Sequence, residues 1–148
     1  MLNDMEICEP NTDTQWQQYY DLRDRVLGPL AGYSKELLRD LLEEDSYHLM
    51  AVEDGQCVGV GRVHFNHAAE GQVRFMAVDA DYRQRGIGRA ILEALEIYLL
   101  RNATASAVLN AHSQALGFYQ KHGYAMVDAD KAPGENTHCA KMVKKLMR

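Results

Sequence analysis

The sequence predicts a mixed α+β fold in a single domain spanning residues 1–148. Three observations carry this. Apolar residues recur at helical spacing near the start, alternate like strands in the middle, and return to helical spacing after Gly88. The length suits one continuous core. No repeat, low-complexity tract or linker divides the chain.

The elements follow in order. Glu6–Glu9 is a short first strand. Asn11 or Thr12 can cap a helix whose Trp16, Tyr19, Tyr20, Arg23, Val26 and Leu27 share one face, and Gly28-Pro29 is expected to end it. Ser34 can cap a second helix with Leu37, Leu38, Leu41 and Leu42 on one face, and residues 43–46 form a polar exit. Residues 47–54 and 57–65 read as strands around the turn signal Asp54-Gly55. Val58 and Val60 alternate on one parity and Val63 and Phe65 on the other, so a bulge is expected near Gly61. Residues 73–79 are apolar on both parities except at Arg74, as in a central strand.

Ile91, Leu92, Leu95, Tyr98 and Leu99 then define an amphipathic helix over 88–101. Residues 106–111 form a fifth strand, and Ser113 can cap a short helix ending at His122-Gly123. Residues 124–128 are strand-like, 128–136 form a polar loop and 138–146 a last strand. The order is β-α-α-β-β-β-α-β-α-β-β.

Composition narrows the function classes. Hydrophobic residues make up 47% and charged residues 25%, and no apolar run approaches the roughly 20 residues of a membrane helix. The N-terminal stretch carries two acids before residue 7 and no basic region, unlike a secretory signal. Cys8, Cys57 and Cys139 are odd in number and far apart, which argues against a disulfide framework or zinc knuckle and for a reducing, cytoplasmic setting. A net charge of −5 disfavours nucleic acid as a general partner. The cationic run Lys141, Lys144, Lys145 and Arg148 reads as a solvated tail.

The stretch that carries chemistry is Val73–Glu96: a strand, a turn with three arginines and two glycines, then a helix. The first amides of a helix lack partners and, with its dipole, attract anions. Gly86 and Gly88 let the backbone approach a bulky diphosphate, and Arg83, Arg85 and Arg89 add charge at that end. The spacing is neither Gly-x-x-x-x-Gly-Lys-Ser/Thr nor Gly-x-Gly-x-x-Gly, because the third position after Gly88 is Ile91.

Arg83-x-x-Gly86-x-Gly88 after a strand resembles the acetyl-coenzyme A diphosphate loop of the GNAT superfamily of N-acetyltransferases. Ala105–Tyr124 is similar to the same family's strand and short helix ending in Phe-Tyr-x-x-x-Gly-Tyr/Phe. The resemblance implies a central mixed, mostly antiparallel sheet flanked by helices, and an N-acetyltransferase with acetyl-coenzyme A as co-substrate and no metal. It implies that the backbone of Met76, Ala77 and Val78 meets the thioester and pantetheine. Amides of Arg83, Gln84, Arg85, Gly86, Ile87, Gly88 and Arg89 would hold the diphosphate. Ala115 and Phe118 would pack beside the cofactor arm, and Tyr119 would be the acid to the leaving thiolate.

The sequence departs from the family at two places. His112 stands where Asn or Gln often contacts pantetheine. The strand before the loop offers Gln72 and Arg74 rather than a Glu or His base, and arginine stays protonated. The proton acceptor is then His64, His138 or a water chain, while Arg74 suits either a structural ion pair or a substrate carboxylate. None of the six histidines shows metal-ligand spacing. The expected partner is an amine, a small molecule before a peptide or protein, with no nucleic acid or membrane and with homodimer formation left open. A non-catalytic acyl-coenzyme A-binding module and an unrelated phosphate-binding domain are the alternatives.

Overall fold

A computed structural model of the chain describes residues 5–31, 42–127 and 139–147. The elements are β1 (Glu6–Cys8), α1 (Asp13–Ala31), β2 (Tyr47–Glu53), β3 (Gln56–His67), β4 (Glu70–Val78), α2 (Ile87–Arg101), β5 (Ser106–His112), α3 (Leu116–Lys121), β6 (Ala125–Met126) and β7 (Cys139–Lys145). Single 3-10 turns at Ala80–Tyr82 and Ser113–Ala115 precede α2 and α3. The second helix expected from Ser34 and the polar loop at 128–136 lie outside the described residues.

A reciprocal cap starts α1. Thr12 Oγ1 accepts from the Gln15 amide at 3.1 Å, and Gln15 Oε1 accepts from the Asn11 and Thr12 amides at 2.8 and 3.3 Å. The helix does not end at Gly28-Pro29; it runs to Ala31. Proline cannot donate to the carbonyl four residues back, but its fixed φ is helical, so the backbone can hold helical form for two residues past it.

The seven strands form one sheet in the order β1-β2-β3-β4-β5-β7-β6. Every pairing is antiparallel except β4 with β5, which is parallel. Helix α1 covers one face, where Tyr19 and Leu22 pack with Met50, Val60 and Ala77. Helix α2 covers the other, where Ile87, Ile91, Leu95 and Leu99 pack with Leu49, Ala51, Val63 and Val73. It lies so close that a Cβ at Gly71 would stand 2.3 Å from Leu99 Cδ2.

The irregularity expected near Gly61 is met on both sides of β3: against β2 the single step Ala51–Val52 faces two β3 steps from Gly59 to Cys57, and against β4 the extra residue sits on the neighbouring strand. Val60 pairs with Ala77 and Arg62 with Arg74, so two β3 steps face three β4 steps. The bulge contains Phe75, whose φ is 55°. Val73 packs with the α2-side core and Ala77 with the α1-side core, although a regular strand would point both the same way.

Candidate active site

The parallel pairing of β4 with β5 runs only from Glu70–Ser106 to Gln72–Val108. Beyond it the strands part, and a cleft of about 800 Å3 opens between them. One edge of β4 from Val73 onward therefore has its backbone groups unused by the sheet, while β5 continues to pair with β7 up to His112–Cys139. Met76, Ala77 and Val78 line the cleft.

The loop after β4 closes one end. Asp79 Oδ1 accepts from the Asp81 amide at 2.9 Å and starts the 3-10 turn. Gln84 (φ 64°) and Gly86 (φ 81°) are both left-handed, a backbone pattern that forms amide-lined concavities. Gly86 is the N-cap of α2 and has no side chain to cap it. The first hydrogen bond into the helix is from the Ala90 amide to Gly86 O at 3.0 Å, so the amides of Ile87, Gly88 and Arg89 have no acceptor within the helix. A Cβ on Gly88 would lie 3.4 Å from the Phe118 ring, so the cleft is narrow there.

Arg83, Gln84, Gly86, Ile87, Gly88 and Arg89 all line the cleft. Arg85 does not: its guanidinium lies over the Tyr82 ring at 4.9 Å and pairs with Glu53 at 3.5 Å. Arg89 Nε donates to Glu93 at 2.9 Å along the exposed side of α2.

The opposite wall comes from β5, the second 3-10 turn and α3. His112, rather than Ser113, makes the cap: its Nδ1 accepts from the Gln114 amide at 3.3 Å. In the neutral ring this leaves the proton on Nε2, which can donate into the cleft. Ala115, Phe118 and Tyr119 line the same wall. The Tyr119 ring packs edge-on against Phe118 and Tyr124, and its hydroxyl makes no hydrogen bond to a described residue. Burial pushes this phenol up to about 12, so it stays protonated at neutral pH.

Arg74 also lines the cleft, with its guanidinium 4.8 Å from the Phe75 ring centre. His64 does not line it. The ring is buried, with Nδ1 3.4 Å from Arg62 Nη2 and Nε2 3.2 Å from Asn66 Oδ1. His138 lies outside the described residues.

Beneath β4 lies a polar cluster that the sequence reading missed. Glu43 accepts from Arg23 at 2.8 and 3.2 Å and from Arg62 at 2.9 Å, and both arginines are fully buried. The Glu43 carbonyl accepts from His48 Nε2 at 2.7 Å, and His48 Nδ1 faces the Tyr19 hydroxyl at 2.7 Å. Arg23 falling among apolar residues on one helix face was the available signal; Glu43 inside an acidic stretch gave none.

The sequence pattern of the acetyltransferase (GNAT) domain matches residues 29–146. YjcF of Bacillus subtilis (strain 168), described as an uncharacterized N-acetyltransferase, is 33% identical over 83% of this chain and 87% of its own. The chain belongs to the GNAT acetyltransferase family. Solved GNAT structures share the fold at low identity. A Lactobacillus plantarum chain assigned as an N-acetyltransferase superposes with a TM-score of 0.82 at 19% identity, covering 98% of this chain and 100% of that one. An aminoglycoside 6'-N-acetyltransferase complexed with coenzyme A does so at 0.78 and 16% identity, covering 97% and 98%. As a GNAT member the protein is an acyltransferase, and its mixed, mostly antiparallel sheet with flanking helices is the family architecture.

Proposed function

We propose that the protein transfers an acetyl group from acetyl-coenzyme A directly to the amine of a small molecule. The observation that carries this is the continuous cleft from the parted edges of β4 and β5 to the uncapped N-terminus of α2 at left-handed Gly86. One end suits a diphosphate, and the open strand edge suits an amide-containing arm and a carbonyl.

The residues present fit the cofactor. The Ile87, Gly88 and Arg89 amides, with Arg83 and the helix dipole, would hold the diphosphate. The free β4 edge at Met76–Val78 would bond the pantetheine and the acyl oxygen, and His112 Nε2 would donate to the arm. Acetyl-coenzyme A brings a carbonyl activated as a thioester. The acceptor nitrogen forms the new C–N bond, and the C–S bond breaks. Backbone donors fixed at the β4 edge stabilise charge developing on the oxygen. Tyr119, protonated and without a described partner, offers its hydroxyl to the departing sulfur. The amine must lose a proton, and water reaching the open cleft is the acceptor we assign.

The test joins binding to turnover. Acetyl-coenzyme A at about 100 times Kd is expected to raise stability by roughly 2.7 kcal/mol, or roughly 5–11 °C in Tm. A panel of small amines and amino-terminal peptides, followed by release of the free thiol, is expected to show turnover with a small amine. An unmoved Tm at millimolar cofactor removes the cofactor assignment. Turnover confined to peptides removes the small-molecule preference.

A further inference from the structure

Phe75 is a bulky residue held at φ 55°, in the strand that borders the cleft. Such a conformation is costly for a side chain of this size and persists where the surroundings over-determine it. Among the described residues three guanidinium groups surround its ring, those of Arg74, Arg62 and Arg23 at 4.8, 4.9 and 5.5 Å from the ring centre. Each lies within the range of a cation–π contact. Arg23 comes from α1 and Arg62 from β3, and the Glu43 carboxylate ties them together.

Stability is a weak reason for this arrangement. Two fully buried cations share one carboxylate, and buried ion networks are often no better than apolar replacements of the same volume. Position is a stronger reason. Between the pairs Arg62–Arg74 and Val60–Ala77 the β4 backbone has one residue too many, and the ring of Phe75 is what the arginines can grip. The conformation at Phe75 sets the direction of the peptide groups that follow it along the open edge.

We propose that Glu43, Arg23 and Arg62 are positioning residues: they hold Phe75 in its left-handed bulge and thereby aim the Met76–Val78 edge at the acyl group. The role in turnover rests on the acetyltransferase reading above; the role in backbone conformation does not. Arg62 does not line the cleft, so it acts through Phe75 rather than on a substrate. Displacing a reacting group by about 1 Å can cost on the order of 10²-fold in rate.

Arg62→Met nearly keeps the volume, removes one cation from the ring and leaves the Arg23–Glu43 ion pair in place. Backbone NMR of the full chain is the first readout, with α2 as the control for folding. The Phe75–Val78 amide and Cα signals are expected to shift or split, while those of α2 stay in place. In turnover, kcat is expected to fall at least tenfold, with acceptor KM and coenzyme A affinity within twofold of the parent. Arg62→Lys, which keeps a cation, is expected to recover most of the loss. If Arg62→Met does not fold, Glu43→Gln is read in the same way. Unchanged Phe75–Val78 signals in the folded variant overturn the proposal, as does a kcat within twofold of the parent. If the parent acetylates no amine, the acetyltransferase reading falls and the NMR signals alone decide the clamp.

Discussion

Tyr119 has a phenol held near pKa 12 by burial, so it is no base at neutral pH. An ordinary thiol ionises near 8.5, so full proton transfer to the departing sulfur runs uphill by about 3–4 pK units. A hydrogen bond to the developing thiolate is the contribution open to it, and bonds to charged groups are worth about 1.5–3 kcal/mol. Tyr119→Phe is therefore expected to lower kcat by about 10- to 150-fold, with acetyl-coenzyme A affinity nearly unchanged. A kcat within twofold of the parent assigns the ring to packing. The two loop glycines divide differently. Gly86 has φ 81° and open space around its Cβ, so Gly86→Ala should cost about 1–2 kcal/mol of stability through the backbone alone. At Gly88 a Cβ would just fit 3.4 Å from Phe118, but the branches of valine would crowd the cleft. Gly88→Val is expected to weaken coenzyme A binding at least tenfold while far-UV circular dichroism is kept. Binding within twofold of the parent would place the diphosphate elsewhere. The glycine spacing was legible in the sequence because it is local. The turn of Arg85 toward Glu53 was not, because Glu53 lies on another strand.

At the scale of elements, the approach of α2 to the sheet depends on residues with no side chain. A Cβ at Gly71 would stand 2.3 Å from Leu99 Cδ2 and 2.7 Å from its Cδ1, and Leu99 is fully buried with little room to turn. Gly71→Ala is expected to cost about 1–3 kcal/mol, the range for overpacking a core. Leu99→Ala in the same chain should make the added methyl less costly, so the two changes together should lose less than their sum in a denaturant titration. Strict additivity would show that the helix and strand do not meet there. The strand and helix positions were largely readable, because periodicity reports which face is buried. The bulge was readable only as a phase slip at Gly61. That slip belongs to β3 itself, whose extra residue faces Ala51–Val52 and puts Val58 and Val60 on opposite faces, whereas the extra residue in β4 leaves no mark on the parity of β3. The parting of β4 and β5 left no local trace, since it is a long-range pairing that stops after Gln72–Val108.

For the molecule as a whole, the network beneath β4 ties α1, β2, β3 and the segment before β2 into one unit whose stability depends on acid. His48 is neutral in that network. Burial holds its pKa below the ordinary 6.5, and the nearby Arg23 and Arg62 charges act in the same direction, against the Glu43 contacts. The unfolded chain then binds more protons than the folded one as pH falls through 6.5, so this part of the stability is present above 6.5 and is lost below it. At Glu43 burial opposes ionisation, but the Arg23 and Arg62 contacts outweigh it and hold the carboxyl below its ordinary 4.5. Its contribution is present above 4.5 and is lost as pH falls further toward its folded value. Acid unfolding is therefore expected in two stages: a decline in Tm beginning near pH 6.5 and a steeper one below about 4.5. His48→Gln keeps polar atoms near Tyr19 and Glu43 but cannot take up a proton. It should lower Tm at pH 7 by losing a well-made bond, flatten the decline between pH 7 and 5, and leave the lower stage in place. Melting curves across pH 4–8 separate these effects. A slope between pH 7 and 5 equal to the parent's would mean that His48 is not the group that titrates.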